Sequence, residues 1–147
     1  MLTGILSEFY ERDIRNLIDE IRQFKNEDNL WKVAGTIKNS AGNLVLHLTG
    51  GTNFLIGATL GNSGYVRNRD EEFSVKDIPR ESLIAGLEAL IETVKKTISN
   101  LGPDGLQQKY PIFFDKPDVS VQYVLIQLLA HLNYHRGQIN YIRRLLE

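Results

Sequence analysis

The chain of 147 residues has no cysteine. That absence excludes disulfides, thiolate nucleophiles, iron–sulfur clusters and every Cys-containing zinc motif, because each needs a sulfur ligand or a thiolate. Any thiol chemistry must use a thiol from outside the chain. An excess of either charge is also missing: seventeen Lys and Arg stand against eighteen Asp and Glu, a net charge of −1. No long-range field therefore draws the chain to phosphate backbones or anionic lipid, and no nucleic-acid partner is expected. Long hydrophobic runs are scarce. The most apolar stretch, Val124 to Leu132, is interrupted by Gln127 and His131, and Met1 to Asp13 carries neither a basic flank nor a long apolar run. The expectation is a chain with no membrane partner and a cytoplasmic location.

What is present is ordinary for a soluble globular domain, with 42% apolar and 24% charged residues, and one domain over 1–147 is expected. Folding at this length buries roughly two-thirds of the unfolded surface. Such a core needs no metal staple, so a bound ion would be there for function.

Apolar residues recur in steps of three and four along four segments. Leu2, Ile5, Leu6, Phe9, Ile14, Leu17, Ile18, Ile21 and Phe24 predict a first helix over about residues 3–26. A polar connection follows, with Trp31 as an expected core anchor. Ser40 or Asn39 can cap a second helix running to about Leu60, in which Gly50 and Gly51 suggest bending or a close backbone approach. Residues 61–79 read as a long connection along the bundle. Leu83, Ile84, Leu87, Leu90, Ile91, Val94 and Ile98 form the stripe of a third helix ending before Gly102-Pro103, and residues 101–119 read as a packed loop or small hairpin. The fourth helix runs from about Ser120, with Val121, Leu125, Leu128, Leu132, His135, Ile139, Ile142 and Leu146 on one face. The fold class expected is all-α, a four-helix bundle with long crossover connections.

His131 and His135 stand four apart, about 40° around the helix axis, so both imidazoles project from one face. His47, in Asn43-Leu44-Val45-Leu46-His47-Leu48, falls on the inward stripe of the second helix. If those helices are neighbours, three imidazoles make a site with an open coordination position, suited to zinc, nickel, iron(II) or copper. No H-E-x-x-H glutamate is present, and residues 119–146 contain no acidic side chain, which disfavours metalloprotease chemistry. Partners for the outer ring nitrogens would come from Asn43, Gln127, Gln138 or a helix-one carboxylate such as Asp13.

Leu44-Val45-Leu46-His47-Leu48, the run Tyr65-Val66-Arg67-Asn68-Arg69-Asp70-Glu71-Glu72-Phe73, and Ala130-His131-Leu132-Asn133-Tyr134-His135-Arg136-Gly137-Gln138-Ile139 together resemble the DinB-like superfamily of metalloenzymes, in order and spacing across nearly the full chain. The His-x-x-x-His-Arg-Gly-Gln segment is the most specific element, and the Arg-Asn-Arg-Asp run points to a small subgroup. The resemblance implies a homodimeric four-helix bundle whose divalent metal, zinc or nickel foremost, is held by His47, His131 and His135. It also implies a small-molecule substrate. Characterised relatives include transferases that conjugate low-molecular-weight thiols such as bacillithiol or mycothiol, and thiol-dependent isomerases. The function expected is transfer of an external thiol to an electrophile. The alternatives are a metal-dependent hydrolase, a non-catalytic metal-binding bundle in stress response, and a metal-free dimeric scaffold.

Other residues have simpler readings. Arg136 and Gln138 read as a surface cation and a hydrogen-bonded amide, Gly137 as a close helix contact, and Arg143 and Arg144 as last-turn cations that need no partner. Arg67, Arg69, Asp70, Glu71 and Glu72 read as a solvated or mutually paired connector, with Arg67 or Arg69 at a pocket mouth, attracting an anionic substrate, as the sharper alternative.

Overall fold

A computed structural model describes residues 1–147 as an all-helical chain, with two isolated β-bridges in place of any sheet. Helix α1 spans Leu2–Arg22 and is followed by a 3₁₀ turn, Glu27–Trp31. Helix α2, Ala41–Gly61, contains a π-helical stretch at Asn53–Ala58. The short α3 is Arg69–Ser74; α4 is Arg80–Gln107 and α5 is Val121–Leu146.

Four of these helices make the bundle. Pairs Tyr10–Leu125, Asp13–Asn133 and Glu20–Asn140 set α1 parallel to α5. Lys95 with Glu11, and Arg80 with the carbonyls of Arg22 and Phe24, set α4 antiparallel to α1. Gly57 lies against Thr93 and Gly61 against Thr97, so α2 and α4 run the same way. An up-down-down-up order follows. It forces residues 62–79 to travel back along the bundle, which makes this the crossover connection; the other two turn at an end.

The core is one apolar cluster to which all four bundle helices contribute. The α4 stripe from Leu83 to Ile98 is buried throughout, as the periodicity predicts. Ser40 Oγ accepts the Asn43 amide and caps α2, and Ser120 does the same for Tyr123 at α5. Gly102, at φ 63° and ψ −179°, breaks the helical path of α4 before Pro103, where the sequence places the end of the third helix. Ile5 and Phe9 are exposed, outside the predicted core; Phe9 instead carries the Arg12 guanidinium 4.3 Å from its ring centroid. Trp31 is half-buried, its ring lying over Gly42, where a Cβ would come within 2.7 Å. By length and composition α2 could cross a bilayer. In the bundle α2 packs against α3, α4 and α5, with Leu44, Val45, Leu48 and Ile56 buried.

Residues 101–107, read from the sequence as part of a packed loop beyond the third helix, are instead the last part of α4, and two further expectations fail here. Residues 61–79 are not plain connection, since they contain α3, whose Glu72 is 6% exposed. Gly137 is no close helix contact, because a Cβ there would meet nothing within 4 Å.

Candidate metal centre

Helix α2 delivers His47 inward, and α5 delivers His131 and His135 from successive turns. The three Nε2 atoms converge: His131 Nε2 lies 3.3 Å from that of His47 and 3.0 Å from that of His135. Each ring offers a ligand nitrogen within 4.8 Å of the other two. The rings stand nearly perpendicular to one another, at 82–86°. His47 is 8% exposed, and the other two are half-buried.

The outer nitrogens decide what this convergence means. His47 Nδ1 is 3.1 Å from Glu72 Oε1, and His135 Nδ1 is 2.7 Å from Gln138 Oε1. A carboxylate and an amide oxygen only accept, so both Nδ1 atoms carry protons and both Nε2 atoms present lone pairs to the shared centre. A proton on His131 Nε2 can satisfy one of them at a time; a divalent ion satisfies all three. Tetrahedral ligation with metal–nitrogen bonds of 2.0–2.1 Å separates ligand nitrogens by roughly 3.3 Å, close to the spacings found. The donor set therefore fits a divalent metal.

Protonation favours the ligand form. Burial pushes the His131 pKa down to about 4, with His135, His47 and Arg67 adding repulsion. For His47, burial outweighs the opposing pull of Glu72 and holds the pKa below the usual histidine value.

Glu72 is the residue that sequence reasoning missed. Its Oε1 accepts from His47 Nδ1 and Arg67 Nη2, and its Oε2 accepts from Arg67 Nε. Gly50 makes room for it, because a Cβ at that position would stand 2.2 Å from Glu72 Oε2. Gly51 faces the Arg67 guanidinium in the same way, with 3.1 Å between the built Cβ and Nη2. The glycine pair thus marks a close approach, as its sequence suggests, and the approaching group is the α3 segment. Asn43 fastens that segment: its Nδ2 donates to the Glu72 and Val75 carbonyls, and its Oδ1 accepts from Ser40 Oγ and Lys76 Nζ. Phe73 closes the set against the His47 ring, centroids 4.9 Å apart.

Among the four outer partners expected from sequence, Gln138 alone takes that role. Asn43 holds α3, Gln127 lies on the wall of a neighbouring cavity, and Asp13 binds Arg12 and Asn133. Arg143 has a partner after all, Glu20 Oε1 at 2.7 Å. Arg136 reaches only Asn133.

A cavity of about 520 Å³ opens beside the histidines. His47 and His131 line it, Leu48, Leu55, Leu128 and Phe114 give apolar walls, and both Arg67 and Arg69 are on the lining, where the sharper sequence alternative puts one of them. The π-helical stretch of α2 lies on this wall, and the Leu55 carbonyl there accepts the Tyr110 hydroxyl at 2.6 Å. Burial raises the Tyr110 pKa to about 12, so that donor stays protonated. A second cavity, of about 460 Å³, is lined by Leu44, Tyr134, His135, Gln138 and Tyr141.

No curated protein matches the chain. A family does: residues 5–147 match the family described as Protein of unknown function (DUF1572), and with nearly its whole length matched the chain belongs to that family.

Proposed function

We propose that this chain is a divalent-metal enzyme of the DinB-like type that transfers a low-molecular-weight thiol to an electrophile. The observation that carries the reading is the convergence of three Nε2 atoms, two of them fixed as lone pairs by Glu72 and Gln138. His47, His131 and His135 would hold the ion, with zinc or nickel the metals proposed. When bound, such an ion lowers the pKa of a thiol placed in its open position and so supplies a thiolate at neutral pH. The chain's own residues bind, orient and exclude water. Glu72 and Gln138 fix two ring planes and tautomers, which maintains ligand basicity. Leu48, Leu55, Leu128 and Phe114 offer a dry wall, and a cavity of about 520 Å³ has room for a small thiol and its acceptor. The chain has no cysteine, so the thiol comes from outside, and the resemblance suggests a co-substrate of the bacillithiol or mycothiol kind.

Glu72 is not available as the proton acceptor that hydrolysis would use. It is the buried carboxylate at this centre, and both its oxygens are engaged by Arg67 and His47. A hydrolase needs a proton acceptor free to receive from water. The proposed assembly is a homodimer, supported by Ile126, Tyr134, Tyr141 and Leu145, large apolar side chains left exposed along α5.

Thiol conjugation tests the proposal. Untagged protein loaded with zinc or nickel is given a panel of thiols and a chromogenic aromatic halide. The reading predicts metal- and thiol-dependent product that disappears in His131→Ala. Ester or amide hydrolysis without any thiol, or no turnover with either metal, contradicts it.

A further inference from the structure

We infer that the cavity beside the histidines selects an organic oxyanion carried on an apolar or aromatic body, and that Arg69 is the group that recognises it. The inference deepens the proposed function in that it takes this cavity as the substrate site, but it rests on the cavity's wall and not on a bound ion.

Arg67 and Arg69 both line the cavity, yet they are spent differently. Arg67 gives Nε and Nη2 to Glu72 in a two-point bond and serves the His47 partner. Arg69 makes no ion pair: neither of the adjacent acids, Asp70 and Glu71, lies within 4.0 Å of its guanidinium. It is held instead over the Phe73 ring, 5.3 Å from the centroid, and Phe73 is packed on His47. A contact with a ring face consumes no N–H, so the planar fork of donors stays unspent on the cavity wall. That is the donor arrangement suited to two-point binding of a carboxylate, sulfonate or phosphate oxygen pair.

A carboxylate on the same lining supports one orientation. Asp115 is the carboxylate on the cavity, and its Oδ2 accepts the Tyr123 hydroxyl at 2.7 Å. It repels an anionic head, which is thereby directed to the Arg69 side. Leu55, Leu128 and Phe114 on the same lining contact whatever apolar body the ligand carries. The second cavity offers a contrast, since its cation is Lys38, on a different segment.

Two fluorescent probes of the same ring system test this: 8-anilinonaphthalene-1-sulfonate, which bears an oxyanion, and N-phenyl-1-naphthylamine, which does not. Both are titrated into metal-stripped and zinc-loaded wild type, Arg69→Ala, Arg69→Gln and Lys38→Ala. In the wild type the sulfonate should bind. Both Arg69 variants should weaken it about tenfold, the expected loss of a charge-assisted two-point bond, while changing the neutral probe less than about twofold; Lys38→Ala should change neither. Absence of sulfonate binding overturns the inference. So does an equal loss of both probes in the Arg69 variants, or a loss that follows Lys38. The metal-stripped arm separates the two readings: Arg69-dependent selectivity in a protein that takes up no zinc would sink the metal proposal and leave this inference standing. Zinc-dependent turnover without selectivity would do the reverse.

Discussion

His47 and Glu72, 25 residues apart in sequence, meet at 3.1 Å between Nδ1 and Oε1. This contact joins the bundle to the crossover segment: one partner is a residue of α2, the other comes from the short α3, and a two-point Arg67 bond holds the carboxylate in place. A buried carboxylate so placed fixes the ring's tautomer and leaves Nε2 free to act as a ligand.

Replacing Glu72 by Gln keeps the shape and removes the charge. Loss of such an outer partner weakens metal binding about 10–100-fold in general, and that range is expected for Glu72→Gln by competition with a chromogenic chelator. An unchanged zinc affinity would show that Glu72 merely fills space.

Two glycines should respond in opposite ways to alanine. In Gly50→Ala the new Cβ would lie 2.2 Å from Glu72 Oε2, so the variant should lose about 1–3 kcal/mol, the range for overpacking, and should bind zinc as poorly as Glu72→Gln. In Gly137→Ala the Cβ meets nothing, and the gain in helix propensity should add up to about 1 kcal/mol without altering zinc affinity. Urea unfolding of the two variants reads both signs.

Asn43 is fully buried, and its amide satisfies two carbonyls of the α3 segment. Removing it in Asn43→Ala leaves those groups unpaired, at a cost of about 1–3 kcal/mol. The loss should be local in hydrogen exchange, with amides of residues 69–75 exchanging faster while the α4 stripe stays protected. Uniform acceleration across the bundle would mean that α3 and the bundle open together.

The metal-free protein should lose stability on acidification through a defined window. In the unfolded chain histidine titrates near 6.5, whereas His131 titrates at about 4 in the folded protein and His47 also lies below its usual value. Between these values the unfolded state binds more protons, so stability falls as the pH drops from about 6.5 to about 4 and this contribution levels off below. Above about 6.5 both states are neutral and the contribution is flat. Urea midpoints of wild type against His131→Gln isolate the effect: the variant should show the shallower decline. Parallel profiles would contradict the assigned shift.

The legible parts of the molecule are those governed by periodicity within one helix. Leu83 to Ile98 show it most clearly: a regular apolar stripe has one inward face, and the structure buries all of it. The i,i+4 pair His131 and His135 and the inward His47 were readable on the same ground, because side-chain direction follows from helical phase. Glu72 was not readable. It sits in a charged run whose composition matches a solvated connector, and its burial comes from docking α3 on Gly50 and Gly51, a tertiary contact that no local pattern encodes. The glycine pair signalled that something approaches α2 without saying what. The π-helical stretch at Asn53–Ala58 shifts the phase of α2 midway, and Phe54, Leu55 and Ala58 end only half-buried. Arg143 was read as a lone terminal cation for a similar reason, since its partner Glu20 lies on α1, 123 residues away.

His47, His131 and His135 are proposed to hold one divalent metal ion together. Metal analysis of the untagged chain, purified without nickel resin and equilibrated with micromolar zinc, decides whether they do. The geometry predicts one equivalent of metal per chain in the wild type, retained in Gly137→Ala and lost in His47→Ala, His131→Ala and His135→Ala. A wild-type protein that remains metal-free under those conditions, or histidine variants that retain a full equivalent, would contradict it.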